Sequence, residues 1–275
     1  MWIDSHAHLG DVDDPRLGAL IAAARENGVG RILNVATSLL SSISVIRQCG
    51  VHSCLSAAVG ISPFDIRDAP KDWPGRIAGL AKSPFVVAIG ETGMDATNAS
   101  YPPLPLQRDF FESHLRLASD LGLPVIVHSR GCEQQVLDIC IASGARSAVF
   151  HCYTGPPETL SRIIGAGYTV SFSGIITFKN SALAPLVASV PLSQMLIETD
   201  SPYLAPVPYR GRQNQPAWVT LVGRAAAAAK NIDEEEFRLG IAATYSRVFS
   251  KGDGVTDEQK VSHPRGLLRR GSKGH

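Results

Sequence analysis

Met1-Trp2-Ile3-Asp4-Ser5-His6-Ala7-His8 opens the chain with a short apolar run that ends in two imidazoles one residue apart. Residues two apart in an extended segment point to the same face, so at the end of a buried strand both rings can converge on one cation. Seven further β-rich runs recur at 31–36, 54–59, 85–90, 124–128, 147–151, 168–172 and 194–198, which with 2–4 makes eight strands. Most are continuous apolar runs, the pattern of strands buried on both faces. Segments of helical period separate them, near 15–27, 40–49, 72–82, 106–121, 131–142, 157–165, 180–189 and 216–229, and 233–247 adds one more. Pro15, Pro74 and Pro157 fall near expected first turns, and Gly28, Gly122 and Gly144 follow expected last turns. Eight βα units in 275 residues predict an α/β fold, a closed (β/α)8 TIM barrel.

The composition sets limits on function. With 44% hydrophobic residues and a formal net charge of +1, the bulk balance exerts no long-range pull on nucleic acid or acidic membranes. Any polyanion has to be gripped locally. The 5 cysteines lack Cys-x-x-Cys spacing and sit mostly beside apolar residues, which reads as reduced thiols rather than a disulfide framework. Asp4 and His6 follow the start too closely for a secretory signal, and no run approaches the roughly 18 apolar residues of a membrane span. A cytoplasmic, monomeric enzyme without a membrane partner is expected. From 250 to 275 the sequence turns to glycine and charge, ending in a basic stretch, so a single domain over 1–249 with a mobile basic tail is expected.

In such a barrel the active site lies at the C-terminal ends of the strands. Five of those ends supply metal-ligand types: His6 and His8 after the first strand, Glu91 after the fourth, His128 at the end of the fifth, His151 at the end of the sixth, and Glu198-Thr199-Asp200 after the eighth. Ionisable groups closing apolar strands are costly unless paired or coordinated. Taken singly, His128 or His151 reads as a bonded core histidine, Glu91 as a loop cap, and Asp200-Ser201-Pro202 as a turn. Taken together they gather half of the chain's 8 histidines at one mouth, enough with the carboxylates to hold two cations. Imidazole nitrogens suit zinc, carboxylate oxygens suit magnesium or manganese, and a carboxylate bridges two ions more readily than an imidazole. Glu91 is the candidate bridge, and Asp200 is the candidate to bind one ion and to orient or deprotonate a water. His114, on the apolar side of the 106–121 helix, is expected to be a bonded histidine at the edge of the core rather than a catalytic one.

These stretches carry a resemblance. Ile3-Asp4-Ser5-His6-Ala7-His8-Leu9, Ile89-Gly90-Glu91-Thr92-Gly93-Met94-Asp95, Leu123-Pro124-Val125-Ile126-Val127-His128-Ser129-Arg130, His151-Cys152-Tyr153-Thr154-Gly155, Thr177-Phe178-Lys179-Asn180 and Glu198-Thr199-Asp200-Ser201-Pro202-Tyr203-Leu204-Ala205-Pro206 occur in the order of the TatD family of metal-dependent hydrolases. The chain resembles that family from residue 3 to about 247. The resemblance implies a barrel of the metallo-dependent hydrolase type with two divalent ions (Mg, Mn or Zn). One would be held by His6, His8, Glu91 and Asp200, the other by Glu91, His128 and His151. It also implies phosphodiester hydrolysis, typically a metal-dependent deoxyribonuclease acting on DNA from a strand end.

Three departures bear on the substrate. The family's usual Gly-x-His-Pro reads Gly60-Ile61-Ser62-Pro63, the Tyr usual after Gly-Leu-Asp is Ala96, and the usual Asn-Glu-Pro reads Asn214-Gln215-Pro216. Ser62 keeps open an alternative, hydrolysis of another ester or amide bond, such as a nucleotide- or tRNA-linked ester, by the same centre. Arg130, Lys179 and Arg212 lie beyond strand ends and are expected to hold a substrate phosphate, Arg130 most of all, because guanidinium matches phosphate oxygens bidentately. Tyr203 is the candidate to stack a base.

Overall fold

The computed structural model describes residues 1–250. Eight strands, β1 (Trp2–Ala7), β2 (Val29–Val35), β3 (Leu55–Val59), β4 (Val86–Asp95), β5 (Val125–Arg130), β6 (Ala148–Phe150), β7 (Thr169–Phe172) and β8 (Met195–Ile197), pair in that order in one sheet, every pair parallel. The (β/α)8 barrel expected from the alternating runs is the observed architecture. The helices are α1 (Asp14–Glu26), α2 (Leu39–Val51), α3 (Trp73–Leu80), α4 (Leu104–Leu121), α5 (Glu133–Ala142), α6 (Pro157–Gly165), α7 (Ala184–Ser189), α8 (Val219–Lys230) and α9 (Glu234–Phe249).

Local chemistry sets many of these boundaries. Pro15, Pro74 and Pro157 occupy the first or second positions of α1, α3 and α6, where no backbone N–H is needed. The Asp13 carboxylate accepts from Arg16 N–H to start α1, and Asp233 accepts from Glu235 and Glu236 to start α9. Gly122 ends α4 with φ 66°, a left-handed turn that side chains rarely adopt. None of the helices among the described residues is long and apolar enough to cross a membrane. The expected tail falls outside the described residues, apart from Ser250.

Several elements differ from their expected bounds. The expected helices at 180–189 and 216–229 begin later, at Ala184 and Val219, the second after a short 3-10 turn at Pro216–Trp218. β1 runs on to Ala7, so His6 lies inside the strand rather than beyond it. β4 likewise continues past Gly90 to Asp95, so Glu91 is a strand residue. Its ladder with β5 shifts register between Ile89 and Thr92, and the two backbones approach closely there. A Cβ at Gly90 would meet the Ile126 carbonyl oxygen at 2.7 Å, and one at Gly93 would collide with that of His128. Glycine is therefore required on both sides of Glu91, and its φ of 139° at Gly90 and 137° at Gly93 is open to no L side chain without strain.

The circle closes between β1 and the segment after β8 largely through side chains. Ser5 Oγ donates to Ile197 O at 2.9 Å, and the buried Asp4 carboxylate accepts from Thr199 N–H at 2.9 Å and Thr199 O–H at 2.6 Å. Asp200 N–H donates to His6 O at 2.9 Å and His8 N–H to Ser201 O at 2.7 Å. This seam places Asp200 directly beside the two histidines of β1.

Candidate active site

Six side chains from five strand ends meet at the C-terminal mouth, and Glu91 stands between them. Its Oε2 lies 3.6 Å from His6 Nε2 and 3.4 Å from His8 Nε2. Its Oε1 lies 3.0 Å from His128 Nδ1 and 3.1 Å from His151 Nε2. Asp200 Oδ1 approaches the first pair, 3.9 Å from His6 Nε2 and 3.4 Å from His8 Nε2. Three overlapping groups, His6–His8–Glu91, His6–His151–Asp200 and Glu91–His128–His151, bring potential ligand atoms within 4.8 Å of one another. The cluster is able to hold metal.

The outward ring nitrogens of three histidines are tied to oxygen acceptors. His8 Nδ1 meets Val35 O at 3.0 Å, His128 Nε2 meets Asp95 Oδ2 at 2.9 Å, and His151 Nδ1 meets Glu198 Oε1 at 3.3 Å. Each bond places the proton on the outward nitrogen and turns a lone pair inward. His128 Nδ1 consequently faces His151 Nε2 at 3.2 Å, while His6 Nε2, whose ring has no such outward bond, lies 3.1 Å from His8 Nε2. Two inward lone pairs at that distance repel unless a proton or a cation lies between them, so the donor set suits a divalent ion.

The electrostatics follow from burial and proximity. Burial alone would raise the Glu91 carboxyl, but the surrounding His151, His128 and His6 rings hold it well below the usual carboxylate range. Burial lowers the His8 imidazole, yet Asp200 and Glu91 outweigh it and push it up to about 9. Protons and cations therefore compete for the same lone pairs. Burial pushes the Asp4 carboxyl up to about 8, against the Thr199 hydrogen bonds that lower it.

A cavity of about 710 Å³ opens over this cluster, lined by His8, Glu91, His128, His151 and Asp200 and, among the expected substrate contacts, by Arg130 and Tyr203. Phe64 packs edge-on against His128 with ring centres 5.1 Å apart, and Tyr203 packs edge-on against His8 at 6.1 Å. Ser62 lies on the wall, buried, donating its hydroxyl to Asp65 Oδ2 at 2.9 Å. Lys179 and Arg212 are exposed and do not line the cavity, so the structure does not bring them to the cluster with Arg130. His114 is fully buried and uninvolved, its Nδ1 2.8 Å from Phe110 O and its Nε2 accepting from Ile61 N–H at 3.1 Å. All five cysteines are free.

Reasoning from strand ends alone passed over Asp95, which backs His128, together with Phe64, and left Asp4 and Glu198 without roles. The signal for Asp95 was period two: on a strand that continues, Glu91, Gly93 and Asp95 share a face. An expected strand of 85–90 stops at Gly90 and hides that alternation.

Comparison with known proteins places the chain in a family. The profile described as TatD related DNase matches residues 3–250. The chain belongs to the TatD family. An uncharacterized metal-dependent hydrolase of Escherichia coli K12, YcfH, is 34% identical over 264 residues, which cover 90% of this chain and 95% of that protein. The 3'-5' ssDNA/RNA exonuclease TatD of Erwinia amylovora is 29% identical over 240 residues, covering 84% of this chain and 92% of its own. The crystal structure of YJJV, a TatD homologue from Escherichia coli K12, superposes with a TM-score of 0.86 at 24% identity, covering 90% of this chain and 97% of the other, and shows the shared barrel. As a TatD-family protein the chain is a metal-dependent hydrolase acting on ester bonds.

Proposed function

We infer that this TatD-family hydrolase cleaves phosphodiester bonds of DNA from a strand end, with two divalent ions held on the two sides of Glu91. The carrying observation is the division of that one carboxylate, Oε2 toward His6 and His8 and Oε1 toward His128 and His151. The mixed imidazole and carboxylate set suits magnesium, manganese or zinc. When bound, the ions supply Lewis acidity toward the phosphoryl group and lower the pKa of the attacking water.

The chain's own groups do the rest. Asp200 lines the cavity beside His8 and completes the first ligand set, and its carboxylate orients the water and takes its proton. Glu91 would serve both sets, one oxygen toward each histidine pair. Among the described residues Arg130 has no carboxylate partner; its Nη2 is 3.8 Å from the Cys152 sulfur, leaving the guanidinium open to the non-bridging oxygens of the scissile phosphate. Phe64 and Tyr203 flank the ligand rings and limit the access of bulk water, and the exposed Tyr203 ring offers a stacking face to the terminal base. The exonuclease name of the Erwinia relative supports this choice of substrate.

The test is incubation of the metal-loaded protein with labelled oligonucleotides beside panels of carboxylic esters and amides. Release of nucleotides that stops on chelation is expected. Turnover of an ester or amide with DNA left intact would replace this reading with the one that Ser62 keeps open.

A further inference from the structure

Lys179, Arg210 and Arg212 stand on the loops that follow β7 and β8, and between Thr177 and Trp218 the only carboxylates are Glu198 and Asp200, both turned to the central cluster. The two loops are joined. Val207 N–H donates to Thr177 Oγ1 at 2.9 Å, and the Arg210 guanidinium lies 3.6 Å over the ring of Phe178. Arg212 lies 5.7 Å over Tyr209, whose ring in turn stacks 4.2 Å from Trp218. All three cations are exposed, and among the described residues none pairs with a carboxylate. The loops after β1 and β3 instead place Asp11 and Asp65 on the cavity wall. The rim is therefore polarised, basic and aromatic on one side and acidic on another. Tyr203, 62% exposed, leads from the cavity onto the basic side.

We propose that this basic rim is the path along which a single-stranded nucleic acid leaves the cavity, its phosphates on the uncut side gripped by Arg210, Arg212 and Lys179. The proposal rests on the phosphodiesterase reading above. Guanidinium groups held over aromatic rings have already lost much of their freedom, and they still present N–H edges to phosphate oxygens. The stacking face for a base comes from the exposed Tyr203 ring at the start of this path, while Phe178 and Tyr209 are taken up in holding the two guanidinium groups. A chain of net charge +1 has no bulk attraction for a polyanion, so the local clustering of charge has to supply it. In this arrangement Arg130 serves the scissile phosphate inside the cavity and the rim serves the ones that follow.

The test compares the full-length, metal-loaded protein with Arg210→Gln/Arg212→Gln on a dinucleotide and on a single strand of about ten nucleotides. Wild type should cleave the longer strand with kcat/KM about tenfold above that for the dinucleotide at low salt, and added salt should shrink the difference. The double variant should lose most of that preference, with its loss confined to the longer strand. Arg212→Gln alone leaves the Phe178 stack untouched and should lose part of it, which separates charge from any loosening of the loop. Equal rates on both lengths in wild type, or an unchanged preference in the double variant, would overturn the rim. Failure to cleave either nucleotide substrate would instead overturn the phosphodiesterase reading.

Discussion

Glu91 is the side chain on which most of the centre depends, because among the described residues its carboxylate reaches all four histidines. Glu91→Ala should reduce turnover to background and also lower the melting temperature, since it strips four buried imidazoles of their shared carboxylate, whereas Glu91→Gln, which keeps the side-chain volume, should lose turnover with a smaller fall. Steady-state kinetics beside a thermal melt would show it, and wild-type turnover would refute a bridging role. Asp95 acts one step further out, fixing the His128 tautomer through a 2.9 Å bond. Asp95→Asn should weaken metal binding or activity by about 10–100-fold, measured by metal titration, with the fold unchanged. The clustering of these six side chains was legible because each ends or nearly ends an apolar run, where an ionisable side chain has no structural excuse. Asp95 was not, because glycines at 90 and 93 looked like the end of a strand. They are instead the positions where β4 passes closest to β5.

At the scale of elements, the eight strands and nine α-helices of the described residues could be read from period and punctuation, and the errors cluster where a third force acts. β1 outran its apolar letters because Asp4, Ser5 and His6 are satisfied by the segment after β8, a long-range pairing of more than 190 residues that no local pattern contains. His114 shows a different element-level role. On α4 it stacks 4.3 Å from Trp73 of α3 and accepts the Ile61 N–H of the loop that carries Ser62. Burial lowers its imidazole to about 4, so the folded protein keeps it neutral where the unfolded chain would bind a proton. Stability from this site is complete above pH 6.5 and is lost as the pH falls toward 4. The loss amounts to about 3 kcal/mol. His114→Gln should be less stable than wild type at pH 7, and that deficit should shrink by about 3 kcal/mol on going to pH 4. Denaturant titrations at the two values would check it, and a constant deficit would exclude the linkage.

For the molecule as a whole, a near-neutral chain folds into a barrel whose chemistry is confined to one mouth and whose charge is sorted around the rim. Composition gives no sign of attraction for polyanions, and the cations of the proposed rim are few and local. Lys179 and Arg212 lie beyond strand ends as expected, yet they stand outside the cavity, because loops after β7 and β8 are long enough to carry them onto the rim. The central claim is that two ions share Glu91. Anomalous diffraction from manganese-loaded crystals tests it most directly. Two peaks about 3.5–4 Å apart are predicted, one among His6, His8, Glu91 and Asp200 and the other among Glu91, His128 and His151. A single peak at full occupancy, or peaks away from Glu91, would contradict the account.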